Sequence, residues 1–406
     1  MSYLSSRLSM VKPSASMAVS QAAKALMAEG IDVIDLGLGE PDFATPAHII
    51  EAAHRASLDG KTLYTAALGT RELRQAICAK YERENRIFYN PEEIAVANGA
   101  KQIIFNALMA TLEEGDEVIL PAPYFVSYPE MVKLLGGRPV MPECPPKTGF
   151  RLTPEILEAA ITPRTKWLFL NMPGNPSGAI YSETELKALG TVLRRHPNVL
   201  VLSDEIYEHI IFDGRDFVSF GRACSELRDR SLIVNGVSKA YAMTGWRVGY
   251  AAGPQMLIRA MGTVQSQSVT SVSAVCQAAA LAALEGPQHE VARFREAFER
   301  RRDLVIKGIA KIEGLTLAPP DGAFYAYIGC RALIGRLTPR GQPLTDDAAV
   351  TRYLLDEARV AAVPGAAYGL SPFFRISTAT SDGILSEAIV RIAAAVAKLQ
   401  PAKVTA

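Results

Sequence analysis

The sequence predicts an α/β protein: a large domain built on a mainly parallel sheet, and a smaller α+β domain. Three observations carry this. From about residue 94 to 250, strand-like apolar runs alternate with helix-like segments, the pattern of a sheet covered on both faces. The chain has 406 residues, more than one simple core holds. Beyond residue 290 the pattern changes to a charged amphipathic helix and short strands among loops.

Near the start of the chain, "DVIDLGLGEPDF" reads as a strand running into a proline-bearing loop. "EIAVANG" is a strand, "KQIIFNALMATL" a helix, "DEVILPAP" the next strand, and "TKWLFLNMPGNPSG" a strand ending in a turn. "SETELKALGTVLRRH" is a helix opened by Ser182 with Glu185 three residues later, a capping box. "NVLVLSDEIY" and "RSLIVNGVSK" are further strands, and the Ala-rich "VSAVCQAAALAAL" is a buried helix. Residues 293–313 form an amphipathic helix. "GAFYAYI", "ARVAAVPGAAYG" and "FFRISTAT" supply short strands, and a last helix covers about 383–399. The division is an N-terminal arm at 1–12, residues 13–45 packing with the small domain, a large domain at 46–290 and a small C-terminal domain at 291–406.

Bulk properties exclude several classes. Net charge is +1, with no basic stripe for nucleic acid. Five scattered cysteines without a CxxC predict reduced thiols in a cytoplasmic protein, and five scattered histidines predict no metal. The N-terminus lacks a signal-peptide core, and no run of about 18 apolar residues predicts a membrane span.

In open parallel sheets, ligands gather at the carboxyl ends of the strands. After "EIAVAN" come Gly99, Ala100 and Lys101 at a helix start. Phe125 comes after "DEVIL", Asn175 after "KWLFLNM", Asp204 and Tyr207 after "NVLVLS", and Ser238 and Lys239 after "SLIVNG". Taken alone, each has a plain structural reading: a surface lysine, a helix cap, a turn asparagine, a core aromatic. Their convergence on one edge is what those readings leave unexplained. Gly37 and Gly39 in "GLGEPD" imitate the start of a dinucleotide fingerprint, but the third glycine is missing and Pro41 stands where a helix would open. Pyridoxal 5'-phosphate asks for this set: an amine, a carboxylate for the ring nitrogen, donors for its phenolic oxygen and phosphate, and an aromatic face.

From "VKPSAS" to "FRISTATSD" the chain resembles the class I/II aminotransferases of pyridoxal-phosphate fold type I, in the bacterial aspartate and prephenate aminotransferase branch. "SDEIYEHI", "SKAYAMTGWRVGY" and "FRIS" carry the resemblance, supported by "YPEM", "GEPDF" and "NPSG". It implies a seven-stranded sheet in the large domain, pyridoxal phosphate as cofactor, and a homodimer with shared sites. It also implies residue roles. Lys239 is the Schiff-base lysine and general base, and Asp204 partners the ring nitrogen. Tyr207 and Asn175 serve the phenolic oxygen. Ser238, Arg247 and the N–H groups of Gly99, Ala100 and Lys101 hold the phosphate, which Tyr64 reaches from the neighbouring subunit. Phe125 stacks on the ring. Arg375 clamps the substrate α-carboxylate with Gly39 in support.

Lys239 and Arg247, eight residues apart, pose a question of charge. Two cations disfavour each other's protonation, so Arg247 is expected to help keep the free amine neutral. Lys101 and Lys12 resemble positions that read a distal carboxylate, which favours aspartate, glutamate or prephenate; aspartate as donor to 2-oxoglutarate in a ping-pong exchange ranks first. Phe125 stands where the branch usually has tryptophan and offers no N–H. Ala100 replaces a glycine, Gly174 a polar residue, and Gly236 a phosphate-binding serine of some relatives. An aromatic, prephenate or broader aminotransferase is the alternative, as is a β-eliminating lyase on the same fold. A non-catalytic effector domain is a further one, set against the short stretch before the family match.

Overall fold

The central sheet has seven strands. Their order is Ile94–Ala97, Gly249–Ala252, Ser231–Gly236, Leu200–Asp204, Thr165–Asn171, Glu117–Ile119 and Arg138–Val140. The computed structural model describes residues 3–401. Residues 1–2 of the predicted arm and 402–406 of the predicted small domain lie outside the described residues. Strand pairings are parallel except the two made by Gly249–Ala252. The sequence reading did not include that strand or Arg138–Val140. Gly249–Ala252 is buried at every position, like the two strands it pairs with, so apolar content gives no sign of its direction.

Period-two alternation divides the sheet between two cores. Leu168, Leu170, Val201 and Ile233 pack on one face, while Trp167, Phe169, Leu202 and Leu232 pack on the other. Each such side chain contributes roughly 1.5–3 kcal/mol on burial. The helix Glu183–Arg194 opens on the expected capping box. Ser182 Oγ accepts from the Glu185 N–H at 3.2 Å, and the Glu185 carboxylate accepts from the Ser182 N–H at 2.8 Å. The Ala-rich segment forms the helix Ala274–Glu285 and buries Ala279, Ala280 and Ala283.

Beside this sheet, Val363–Pro364, Phe373–Ser377 and Tyr325–Gly329 form a three-stranded antiparallel sheet. Ile34–Asp35 pairs in parallel with Val360–Ala361. Leu36, Val305, Ile328, Phe374, Ile376 and Leu385 share one core there. The predicted strand near residue 34 is only two residues long. Gly37, Gly39 and Pro41 come directly after it and cannot extend a ladder. The helix Ala15–Ala28 was not anticipated. The helix expected at 293–313 runs from His289 to Ile309, and Gly314, at φ +90°, turns the chain after it. The last helix, Asp382–Ala397, starts where Ser381 caps the Ile384 N–H at 3.3 Å.

Candidate active site

A pocket of about 350 Å³ opens at the carboxyl edge of the seven-stranded sheet, where it meets the three-stranded sheet. Its walls bring together Gly39, Ala100, Lys101, Phe125, Asn175, Asp204, Tyr207, Ser238, Lys239, Arg247 and Arg375. These residues span most of the chain, and the parallel topology is what collects them. A larger groove, about 690 Å³, lies on the surface between the helices His289–Ile309 and Asp382–Ala397 and shares none of them.

Lys239 stands just past the strand Ser231–Gly236. Its Nζ donates to the backbone oxygen of Gly39 at 2.6 Å. Burial lowers its pKa from 10.5 to about 8. Glu40 opposes that shift, Arg375 reinforces it, and Arg247 adds a smaller push in the same direction. Arg247 thus helps keep the amine neutral, as expected, but desolvation leads, because the amine has left water for a site where its bonded partner is a neutral backbone oxygen. Glu40 sits at the pocket mouth, where its carboxylate accepts a hydrogen bond from the Thr244 hydroxyl.

Asp204 closes the strand Leu200–Asp204 and is buried. Tyr128 donates to its Oδ2 at 2.6 Å, and the Ile206 N–H reaches Oδ1 at 3.3 Å. Burial pushes its pKa up to about 6; Tyr128 and Ile206 pull the other way, with Lys239 a weaker influence. Tyr128 was not singled out by sequence reasoning. It begins a helix of its own, Tyr128–Leu134, and only the fold turns its hydroxyl onto Asp204.

Arg375 comes from the strand Phe373–Ser377 and is 2 % exposed. Its Nη1 donates to Asn175 Oδ1 at 3.0 Å, and its Nη2 donates to the Gly37 oxygen. Its Nε is buried with no hydrogen-bond partner among the described residues. A buried guanidinium with a spare donor and neutral partners is a carboxylate site in waiting. The rings of Tyr325 and Tyr368 lie 4.5 and 5.2 Å from the guanidinium carbon. Tyr207 Oη meets Tyr325 Oη at 2.7 Å, and burial holds the Tyr207 phenol well above its ordinary pKa, so it stays protonated.

Another part of the pocket wall is built for an anion. Gly99, at φ +89°, starts the helix Ala100–Thr111. A side chain there would collide with the Arg247 guanidinium, and one at Gly249 would collide with the backbone of Gly99 and Ala100. Arg247 Nη2 donates to the Asn98 oxygen at 3.1 Å and Nη1 to the Thr244 oxygen at 2.9 Å. A guanidinium therefore sits against a helix start, in a pocket that buried Ser238 also lines.

Three predicted residues do not line the pocket: Gly99, which lies against the Arg247 guanidinium, Tyr64 and Lys12. Tyr64 is 87 % exposed. Lys12 is exposed, and its backbone N–H donates to Glu130 Oε2 at 2.7 Å. Gly236 is also absent from it. A side chain there would press on Gly249 and Val248 at 3.0 Å, so the close strand pair accounts for the glycine. Elsewhere, Glu84, Glu208 and His209 bring potential ligand atoms within 4.8 Å of one another. A cation already serves that cluster: the buried ammonium of Lys80 is bonded to Glu208 and, at 2.8 Å, to Asn85.

Comparison with known proteins agrees with this arrangement. The family model for aminotransferase class I and II matches residues 31–392. The aspartate/prephenate aminotransferase of Cereibacter sphaeroides is 55% identical over 394 residues, 97% of this chain and 98% of that one. An aspartate aminotransferase of Rhizobium meliloti has a crystal structure at TM-score 0.96 and 52% identity, covering 98% of this chain and 100% of the other. The Thermus thermophilus aspartate aminotransferase with maleate has TM-score 0.91 and 43% identity, covering 97% of this chain and 100% of that one. Family membership also accounts for a buried amine, a buried carboxylate and an anion cradle in one pocket. The chain belongs to the class I and II aminotransferases, enzymes that work with pyridoxal 5'-phosphate.

Proposed function

We propose that this aminotransferase takes its amino group from an acidic L-amino acid, aspartate first, and passes it to 2-oxoglutarate. The observation that carries the reading is the set of cations lining one pocket: buried Arg375 with a spare donor, Lys239, and Lys101 over the Phe125 ring, its Nζ 5.3 Å from the centroid. A dicarboxylate finds two cations there besides Lys239. Relatives named aspartate and aspartate/prephenate aminotransferases, and a relative crystallised with maleate, a dicarboxylate, support it. An amino-donor screen with 2-oxoglutarate tests it: aspartate leads under this reading, and an alanine or phenylalanine lead would displace it.

The residues fit the cofactor. Lys239 is the amine that would hold it, and Asp204 the carboxylate that would partner its ring nitrogen. Tyr207 and Asn175 serve its phenolic oxygen, Phe125 its ring face, and Ser238, Arg247 and the Gly99–Lys101 turn its phosphate. When bound, pyridoxal phosphate supplies a cationic ring that accepts the electron pair released at the substrate Cα. Everything else is work for the chain. Arg375 fixes the α-carboxylate and so aims the Cα–H bond. The Lys239 amine, once free and neutral, takes that proton and returns it on the cofactor side. Asp204 holds the ring-nitrogen proton, and the cation beside it brings the carboxyl back into its ionised range.

Arg375→Lys is expected to lower kcat/KM by roughly 2–5 kcal/mol for every amino donor alike, because an ammonium cannot copy a two-bond carboxylate clamp. Steady-state kinetics with aspartate and phenylalanine check this. A loss confined to acidic donors would move the α-carboxylate site elsewhere.

Lys101 separates the substrate classes. Lys101→Ala should cost acidic donors roughly 1.5–3 kcal/mol in kcat/KM and leave phenylalanine and alanine nearly unchanged. Equal losses on all donors, with weaker cofactor binding, would assign the ammonium to the phosphate. Aromatic amino donors, with prephenate as an oxo-acid acceptor, are the second reading, favoured by Phe125, which offers a bare ring where an N–H would serve a distal carboxylate.

The active form in this reading is a homodimer. Leu63 and Tyr64 are 80% and 87% exposed, far more than large apolar side chains usually are, and neither lines its own chain's pocket. A partner chain covering them would bring Tyr64 to its neighbour's phosphate end.

A further inference from the structure

Tyr325 was read from sequence only as part of a strand. Its surroundings give it more. It lies on Tyr325–Gly329, antiparallel to Phe373–Ser377, with Arg375 opposite Tyr327. That register puts Tyr325 diagonally beside Arg375 on the same face, within reach of a long side chain. The Arg375 guanidinium rests 4.5 Å from the Tyr325 ring centre. Beyond the ring, the hydroxyl meets Tyr207 Oη at 2.7 Å. Tyr207 is the only hydrogen-bond partner of that hydroxyl among the described residues. A side chain at Gly39 would collide with it, and the Gly39 oxygen accepts from Lys239. One phenol therefore touches the carboxylate clamp, a cofactor donor and the loop that holds the lysine. It also spans from the three-stranded sheet to the seven-stranded one.

We propose that Tyr325 is a positioning residue that couples Arg375 to Tyr207. Its ring sets the plane of the guanidinium through the cation–π contact. Its hydroxyl donates to Tyr207 Oη, which turns the Tyr207 proton outward toward the phenolic oxygen of the cofactor. Donation in a chain strengthens each bond in it. Movement of Arg375 onto a substrate carboxylate is thereby felt at Tyr207 through the Tyr325 hydroxyl, in addition to the direct pull of the guanidinium charge on Tyr207. This rests on the roles given above to Tyr207 and Arg375.

The test uses the holoenzyme and the pH midpoint of its visible absorption. Tyr325→Phe keeps the ring and removes the hydroxyl. Tyr207 then donates less strongly, the phenolic oxygen becomes more basic, and the midpoint moves up by roughly half to one pH unit, with KM for amino donors changed less than about threefold. Tyr325→Leu removes the ring as well, and KM for aspartate and phenylalanine should rise together by about tenfold. In a Tyr207→Phe background, Tyr325→Phe should move the midpoint no further. Tyr207→Phe alone separates the two claims: if it leaves the midpoint unmoved, the role of Tyr207 is wrong. If Tyr207→Phe shifts the midpoint and Tyr325→Phe does not, the coupling is overturned. A Tyr325→Phe shift that persists without the Tyr207 hydroxyl overturns it too. Should Tyr325→Phe not accumulate as holoenzyme, Gly39→Ala, whose methyl displaces the hydroxyl, must give the same upward shift, and an unchanged midpoint there counts against the proposal.

Discussion

Lys239→Ala is expected to abolish turnover, by at least about 10⁴-fold, because one side chain is assigned both the covalent hold on the cofactor and the proton transfers at Cα. Cofactor should still bind through the Ser238, Arg247 and Gly99 end of the pocket, with an altered visible spectrum. A second readout separates lost chemistry from lost folding. Lys239 in the cofactor-free protein has its pKa lowered to about 8, against 10.5 for an ordinary lysine. Between those values the unfolded chain binds more protons than the folded one, so stability rises with pH. The gain is on the order of 3 kcal/mol, complete above the unfolded value and absent below about pH 8. Denaturant titrations of the cofactor-free enzyme should show that rise, and Lys239→Ala should lack it. A variant that keeps measurable turnover would remove Lys239 from its role.

Asp204→Ala is expected to bind cofactor and lose about 10³-fold in kcat. An ion pair at about 4 Å in an effective dielectric of 20 is worth roughly 4 kcal/mol, about three pKa units on the ring nitrogen. Without it the ring is neutral at physiological pH and a poor acceptor of electrons. The change also takes from the Tyr128 hydroxyl the carboxylate it donates to. A cofactor analogue methylated on the ring nitrogen carries its charge permanently and should restore part of the rate. Near wild-type kcat in Asp204→Ala, measured at saturating aspartate, would contradict the assignment.

Much of this site was legible in the sequence because parallel topology is a local rule. Each strand ends where apolar content stops, and the residues just past that end lie on one edge of the sheet; Asp204, Lys239 and Asn175 could be placed together on that ground. Tyr128 and Tyr325 could not. Each carries its meaning through one hydroxyl whose partner is 76 or 118 residues away, and both look like ordinary aromatics of a helix start and a strand. The reversed strand Gly249–Ala252 was missed for another reason: a fully buried strand reads the same in either direction. The charge argument on Lys239 had the right sign but not the main cause, because sequence distance shows a neighbouring arginine but not burial, and burial is the larger influence.

The most direct test of the account is the site of cofactor attachment. Borohydride reduction of the yellow holoenzyme fixes the cofactor to whichever lysine holds it, and peptide mapping locates that lysine. The account predicts a single modified peptide carrying Lys239. Modification of Lys101 or any other lysine, with Lys239 free, would contradict it.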